Sequence, residues 1–217
     1  MKILMIPSRM LPIPPVKGGA VQNLINFYIE WNEKEKNNDL IVTSIYNEDA
    51  KNLSSKLKNT VIEYTGRHRF LIKLMYKDIP KISGLAHKII NADYKKIIKK
   101  VIRQNKEKLD LVVLDNSTGY FELVRKEFDG KIAIHIYNDH LNSSVKNIDY
   151  IMKNVDRVIT VSEYNSDIVR KLGYGEKVVT LHNGVDISRF GNEYTKGQRN
   201  GIREKLNIKD DEIAIIF

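Results

Sequence analysis

The stretch Asp110–Asn138, DLVVLDNSTGYFELVRKEFDGKIAIHIYN, carries the decision about the fold. Asp110–Leu114 reads as a buried strand, Tyr120–Glu127 as a helix and Lys131–Ile136 as a second buried strand. The same alternation continues outward, with Val145–Asn154 as helix, Arg157–Val161 as strand, Ser162–Leu172 as helix and Lys177–Leu181 as strand. Strands alternating with helices at this spacing predict an α/β protein with a doubly wound, mainly parallel sheet. Ligands of such sheets gather at the carboxyl ends of strands. Here those ends are Pro7–Gly19, Asp115–Ser117, Tyr137–His140, Ser162–Tyr164 and His182–Asp186.

Upstream, the apolar run Ile3–Ile6 gives way to a proline-rich loop and then to Lys17-Gly18-Gly19-Ala20, after which Val21, Leu24, Ile25 and Tyr28 fall at helical spacing. Two glycines at a helix start let the backbone approach a ligand, and the unpaired N–H groups there favour anions. Gly18 and Gly19 are therefore candidates for a phosphate or sugar site, with a tight turn as the alternative. Leu40–Ile45 and Thr60–Tyr64 read as further strands, and Asn47–Lys58 as loop with a short helix. Tyr94, Ile97, Ile98, Val101 and Ile102 share one face of a helix whose other face is basic.

The 217 residues suffice for one good-sized domain, or one domain plus a fragment. Cysteine is absent, which excludes disulfides, thiolate metal sites and a cysteine nucleophile. No signal-peptide core follows Lys2 and no run approaches the ~20 apolar residues of a spanning helix, so a soluble, cytoplasmic protein is expected. The net charge is +9, and its excess lies between Thr65 and Asn105, where eleven Lys and Arg face only Asp78 and Asp93. Such a concentration points to nucleic acid, anionic lipid or a phosphorylated substrate. Within it, the apolar residues of Arg67–Lys77 show no core period, so Arg67, Arg69, Phe70, Lys73 and Lys77 are candidates for a membrane-facing surface. No RRM, KH or recognition-helix signature supports nucleic acid.

Several chemistries lack their motif. The glycines come about a dozen residues too late for a dinucleotide fingerprint. No Walker lysine and no G-x-S-x-G elbow occur, and His68, His87, His135, His140 and His182 lack metal-ligand spacing, so no metal is expected. The cluster His135-Ile136-Tyr137-Asn138-Asp139-His140 closes a strand with successive polar groups, and alternation puts His135 and Tyr137 on one face, suited to a hydroxyl-rich ligand. The alternative is a satisfied core histidine, with Asn138 and Asp139 capping the next helix.

Taken together, Met1-Lys2-Ile3-Leu4-Met5-Ile6, Pro14-Pro15-Val16-Lys17-Gly18-Gly19-Ala20, Val158-Ile159-Thr160-Val161-Ser162 and His182-Asn183-Gly184-Val185-Asp186 resemble the amino-terminal domain of family 4 glycosyltransferases of the GT-B fold. The likeness is to retaining, nucleotide-sugar-dependent enzymes, particularly spore-coat and polysaccharide-synthesis members. It implies a Rossmann-like acceptor-side domain over residues 1–190, and over 191–217 a linker with the first strand, Ile213–Phe217, of a donor-binding domain that continues beyond. It implies a nucleotide-sugar donor, a saccharide or lipid-linked acceptor and no cofactor of the protein's own. Gly18 and Gly19 would then approach the donor diphosphate, where backbone amides stabilise charge on the leaving phosphate. Asn116, Ser117, His135, Ser162 and Glu163 fall on the acceptor side, with helix capping as the alternative for Ser162 and Glu163. Asn183, Gly184 and Asp186 fall in the interdomain turn, with a positive φ expected at Gly184 and side-chain hydrogen bonds from the other two.

Family members often carry a histidine where this chain has Tyr137, followed by Asn138 and an acidic residue like Asp139. A phenol is a poor base at neutral pH. Either Tyr137 substitutes in an orienting role, or His135 or His140 supplies the imidazole, or the protein is a non-catalytic carbohydrate-binding or scaffold module.

Overall fold

The computed structural model describes residues 1–75, 80–185, 187, 195–209 and 211–215. Its strands are β1 (Lys2–Pro7), β2 (Asp39–Ser44), β3 (Thr60–Tyr64), β4 (Leu111–Asp115), β5 (Lys131–Ile136), β6 (Arg157–Thr160) and β7 (Val178–Thr180). The helices are α1 (Ala20–Glu35), α2 (Glu48–Ser54), α3 (Arg69–Met75), α4 (Pro80–Asn105), α5 (Phe121–Glu127), α6 (Ile148–Asn154), α7 (Glu163–Arg170) and α8 (Lys196–Lys205). The sheet order is β3-β2-β1-β4-β5-β6-β7, and every pairing is parallel.

Alternation along the strands divides the core in two. Leu4, Ile6, Val112, Leu114, Ile132 and Ile134 face α4–α7, packing on Tyr94, Ile98, Phe121, Ile151 and Val169. Met5, Leu40, Val42 and Val113 face Ile25 and Ile29 of α1. Right-handed crossovers require this division: the chain winds outward from β1 to β3 on one face, then returns over the other to β4 and beyond. α4 makes the return. Its Tyr94 hydroxyl, fully buried, bonds Thr43 Oγ1 and the Pro7 carbonyl, each at 2.8 Å, tying the helix to the sheet.

Two expectations need correction. Arg67–Lys77 is not a stretch without core contacts: its described part folds into α3, which buries Met75 and packs Leu71, Ile72 and Leu74 against the larger core. A single short helix leaning on α4 buries one side without displaying a long period. The strand expected over Ile213–Phe217 does not form over its described part, where Ile213 and Ile215 are exposed; a strand needs a paired neighbour for its backbone groups.

Two compact units emerge, Met1–Asn183 and Gly184–Phe217. Within the second, Thr195 opens α8 with a capping box, its hydroxyl accepting from Gln198 N while Gln198 Oε1 accepts from Thr195 N. Among the described residues no helix is long and apolar enough to cross a membrane.

Candidate functional site

The loop leaving β1 is pinned at its middle. Ile13 is buried, its N–H donates to Ser44 Oγ at 2.9 Å, and its carbonyl accepts from Tyr64 OH at 2.8 Å. Gly18 N donates to the Pro15 carbonyl at 3.0 Å, and the chain then enters α1 through two positive-φ residues, Gly18 at +73° and Gly19 at +102°. No side chain caps α1. A Cβ on Gly19 would collide with Gln22 Oε1 and lie 2.7 Å from Leu11 Cδ1. The pair thus serves as a turn and also leaves the first amides of a long helix without a capping side chain, a geometry that suits an anion.

The strand-end cluster sits on the α1 face. His135 and Tyr137 pack ring to ring with centroids 4.4 Å apart, and Tyr28 of α1 lies 6.5 Å from the imidazole. What the alternation pattern does not show is Asp115, paired in register with His135 from the neighbouring strand. Its carboxylate is fully buried, with Oδ2 3.4 Å from His135 Nδ1 and 3.4 Å from Tyr137 OH. The Tyr137 hydroxyl also lies 3.1 Å from His135 Nδ1. Burial, and then the Asp115 charge, push the Tyr137 phenol far above its ordinary range; the same causes raise Tyr28. Tyr137 therefore keeps its proton and is a hydrogen-bond donor and acceptor, not a base. His135 Nε2 and Asp115 Oδ1 are buried and have no hydrogen-bond partner, so part of this cluster's polar capacity is unspent. The only sequence signal for Asp115 was a carboxylate closing an apolar strand.

The other candidates separate. Asn138 does not cap α6, whose N-cap is Asn147; its Oδ1 accepts instead from His140 N at 3.2 Å, closing a local turn. Nine residues lie between Asn138 and the start of α6, too far for a cap. Asp139 and His140 are exposed beyond that turn. Asn116 takes φ +49° and its N–H donates to the His135 carbonyl at 2.8 Å, while the Ser117 hydroxyl is spent on the Ile6 carbonyl. Ser162 is the N-cap of α7, accepting from Asn165 N at 3.3 Å. Exposed Glu163 accepts from Arg170 at 2.8 Å, and hydrogen bonds from Thr180 and Arg170 hold its carboxyl below the usual range. Gly184 does not take a positive φ and has open space around it, so the chain there needs no left-handed turn, and among the described residues no hydrogen bond is seen from the Asn183 side chain. Asp186 lies outside the described residues, as do Lys77 and the Arg69 side chain. Arg67 stacks over Tyr46 at 5.3 Å, Phe70 is 72% exposed, and Lys73 joins Lys17 and Tyr46 around a groove of about 650 Å³.

The model of Glycosyltransferase Family 4 matches residues 75–189, more than half of the chain. The chain belongs to this family. No curated protein sequence matches it. Among solved structures, HepE of Anabaena, solved in complex with UDP-glucose, is 15% identical over 95% of this chain and 50% of that one, with a TM-score of 0.58. A glycosyltransferase of Rickettsia africae is 18% identical over 97% of this chain and 50% of that one, at 0.53. A UDP-N-acetylglucosamine 2-epimerase of Rickettsia bellii is 14% identical over 96% and 52%, at 0.50. The family 4 chain thus spans about half the length of the structures it matches, and its sheet has the fold of one half of a GT-B glycosyltransferase. That an epimerase shares the fold shows that the fold alone does not choose the reaction.

Proposed function

We propose that this chain is the acceptor-side half of a retaining glycosyltransferase, moving a sugar from a nucleotide-sugar to a saccharide or lipid-linked acceptor in cell-surface polysaccharide synthesis. The observation that carries the reading is the family match, joined to a glycine pair that opens a long uncapped helix at the strand ends. In this reading the α1 amides face charge developing on the leaving diphosphate, and Tyr137, fixed by Asp115 and His135, orients a sugar hydroxyl. The reaction uses no metal or cofactor of the protein's own, and the donor is held mainly by sequence outside this chain. The protein works in the cytoplasm at an anionic membrane surface, approached by the basic region around Arg67, Phe70 and Lys73, next to which the start of α4 adds exposed Ile82, Leu85 and Ile89.

The test uses the product of the complete open reading frame, incubated with labelled nucleotide-sugars and membranes. Transfer with the donor's anomeric configuration kept, and its loss in Tyr137→Phe, is expected. Absence of donor consumption, with saccharide binding by the chain, would establish the second reading, a non-catalytic carbohydrate-binding module, which Tyr137 favours by standing where the family often has histidine. Sedimentation with anionic vesicles tests the membrane face; binding insensitive to salt and to Phe70→Ser would remove it.

A further inference from the structure

On the opposite side of the sheet from the Asp115–His135–Tyr137 cluster, the ends of β1 and β4 and the middle of α4 border an open cavity of about 330 Å³. Ser8, Arg9, Asn91, Lys95, Asn116 and Tyr120 line it, and among the described residues no carboxylate does. Lys99 and Arg103 reach Glu127, and Lys100 reaches Glu63, whereas Arg9 and Lys95 enter no ion pair among the described residues.

Arg9 is also held in place. Its Nε donates to Asn91 Oδ1 at 3.0 Å, the same oxygen accepts from Tyr120 OH at 2.7 Å, and Nη1 lies 3.4 Å from His87 Nδ1. His87 and Asn91 of α4, with Tyr120 behind Asn91, therefore fix one half-buried guanidinium without neutralising it. A planar fork held this way, with Lys95 lining the same cavity, suits a phosphate oxyanion better than a neutral sugar. Left alone, a partly buried cation without a counter-charge is a cost to the fold, which an anionic ligand removes.

We infer that this cavity is a phosphate subsite, in which Arg9 binds the oxyanion through its fork and Lys95 supplies the second charge, so that the acceptor carries a phosphate group. The acceptor part of this inference rests on the glycosyltransferase reading; the anion site itself does not. The phosphate arrives either on a soluble phosphoester or on a lipid headgroup, chemistry that the cavity does not distinguish.

The experiment titrates the ¹⁵N-labelled chain with phenyl phosphate and follows the Arg9 Nε–Hε resonance, assigned by its loss in Arg9→Lys. Saturable binding is expected, weakened about tenfold in Arg9→Gln because a charge-assisted pair is removed. In Lys95→Gln, whose exposed side chain has no packing role, the loss is about fivefold. Lys95→Gln keeps the inference open to refutation if Arg9→Gln misfolds. Phosphatidylcholine vesicles with and without phosphatidic acid form the second arm: Lys95-dependent retention on the former assigns a lipid-borne phosphate, and its absence alongside phenyl phosphate binding assigns a soluble one. No saturation with either probe, or equal affinity in wild type and Lys95→Gln, overturns the site. Because neither arm reads sugar transfer, failure of the glycosyltransferase reading leaves a distinct signature: phosphate binding intact and no transfer.

Discussion

Replacing Gly19 with alanine tests whether the entry to α1 is built on a backbone that only glycine tolerates. At φ +102° and ψ 123° the residue lies outside every region open to an L side chain. Holding alanine there costs about 1–3 kcal/mol. The new Cβ would also collide with Gln22 Oε1 and approach Leu11 Cδ1 to 2.7 Å. Both are side-chain ends that can swing away, so the backbone term dominates. Reduced freedom of the unfolded chain returns roughly 0.4–1 kcal/mol. The balance is a loss of about 1.5 kcal/mol, or roughly 3–6 °C in Tm for a chain of this size. Differential scanning calorimetry reads it, with two internal references. Gly18, at φ +73° with nothing within 4 Å of an added Cβ, should lose no more than about 1 kcal/mol on the same change. Gly84, inside α4 with open space around it, should gain about 0.5–1 kcal/mol. A Gly19→Ala protein melting with or above Gly18→Ala would refute the reasoning, because the loop would then be able to relax into an ordinary helix start and the exposed amides would not be a held feature.

Three further outcomes follow from the packing. Lys177 Nζ donates to the carbonyls of Met152, Lys153 and Val155 at 2.7, 3.1 and 2.9 Å, closing the end of α6, so Lys177→Met should lower stability by about 1–3 kcal/mol in urea unfolding. Tyr94→Phe removes the buried hydroxyl that joins α4 to Thr43 and Pro7, and should cost about 1–2 kcal/mol while leaving the far-ultraviolet circular dichroism unchanged. Burial pushes Tyr64 and Tyr120 up to about 12, above the ~10 of the unfolded chain, so the folded state holds their protons longer. Their contribution is complete below about pH 10 and is lost as pH rises toward 12; urea midpoints should fall across that window, and less steeply in a Tyr64→Phe, Tyr120→Phe double variant.

Much of the architecture could be read locally. Thr60–Tyr64 forms a strand with the expected bounds, and Lys131–Ile136 likewise, because buried parallel strands appear as short apolar runs. The start of α4 was hidden for the opposite reason. Ile82, Leu85 and Ile89 stay exposed there, so that half of the helix lacks the buried stripe that announces Tyr94–Ile102. Alternation was enough to bring His135 beside Tyr137, since residues two apart on a strand share a face. It was not enough to find Asp115, which arrives from the next strand through the parallel register, or to join Arg9 to Asn91.

What the amino-acid order determined by itself is therefore the alternation of strand and helix, the parallel sheet that follows from it, and the glycine entry to α1. Each of these depends on interactions within a few residues or on a periodicity visible along the chain. Tertiary structure alone decided that a buried carboxylate holds His135 and Tyr137. It alone left Arg9 and Lys95 lining one cavity with no acid among its described residues. Such arrangements depend on strand register and crossover path, which bring distant residues together, and whether a charge finds its counter-charge is settled only when those elements pack.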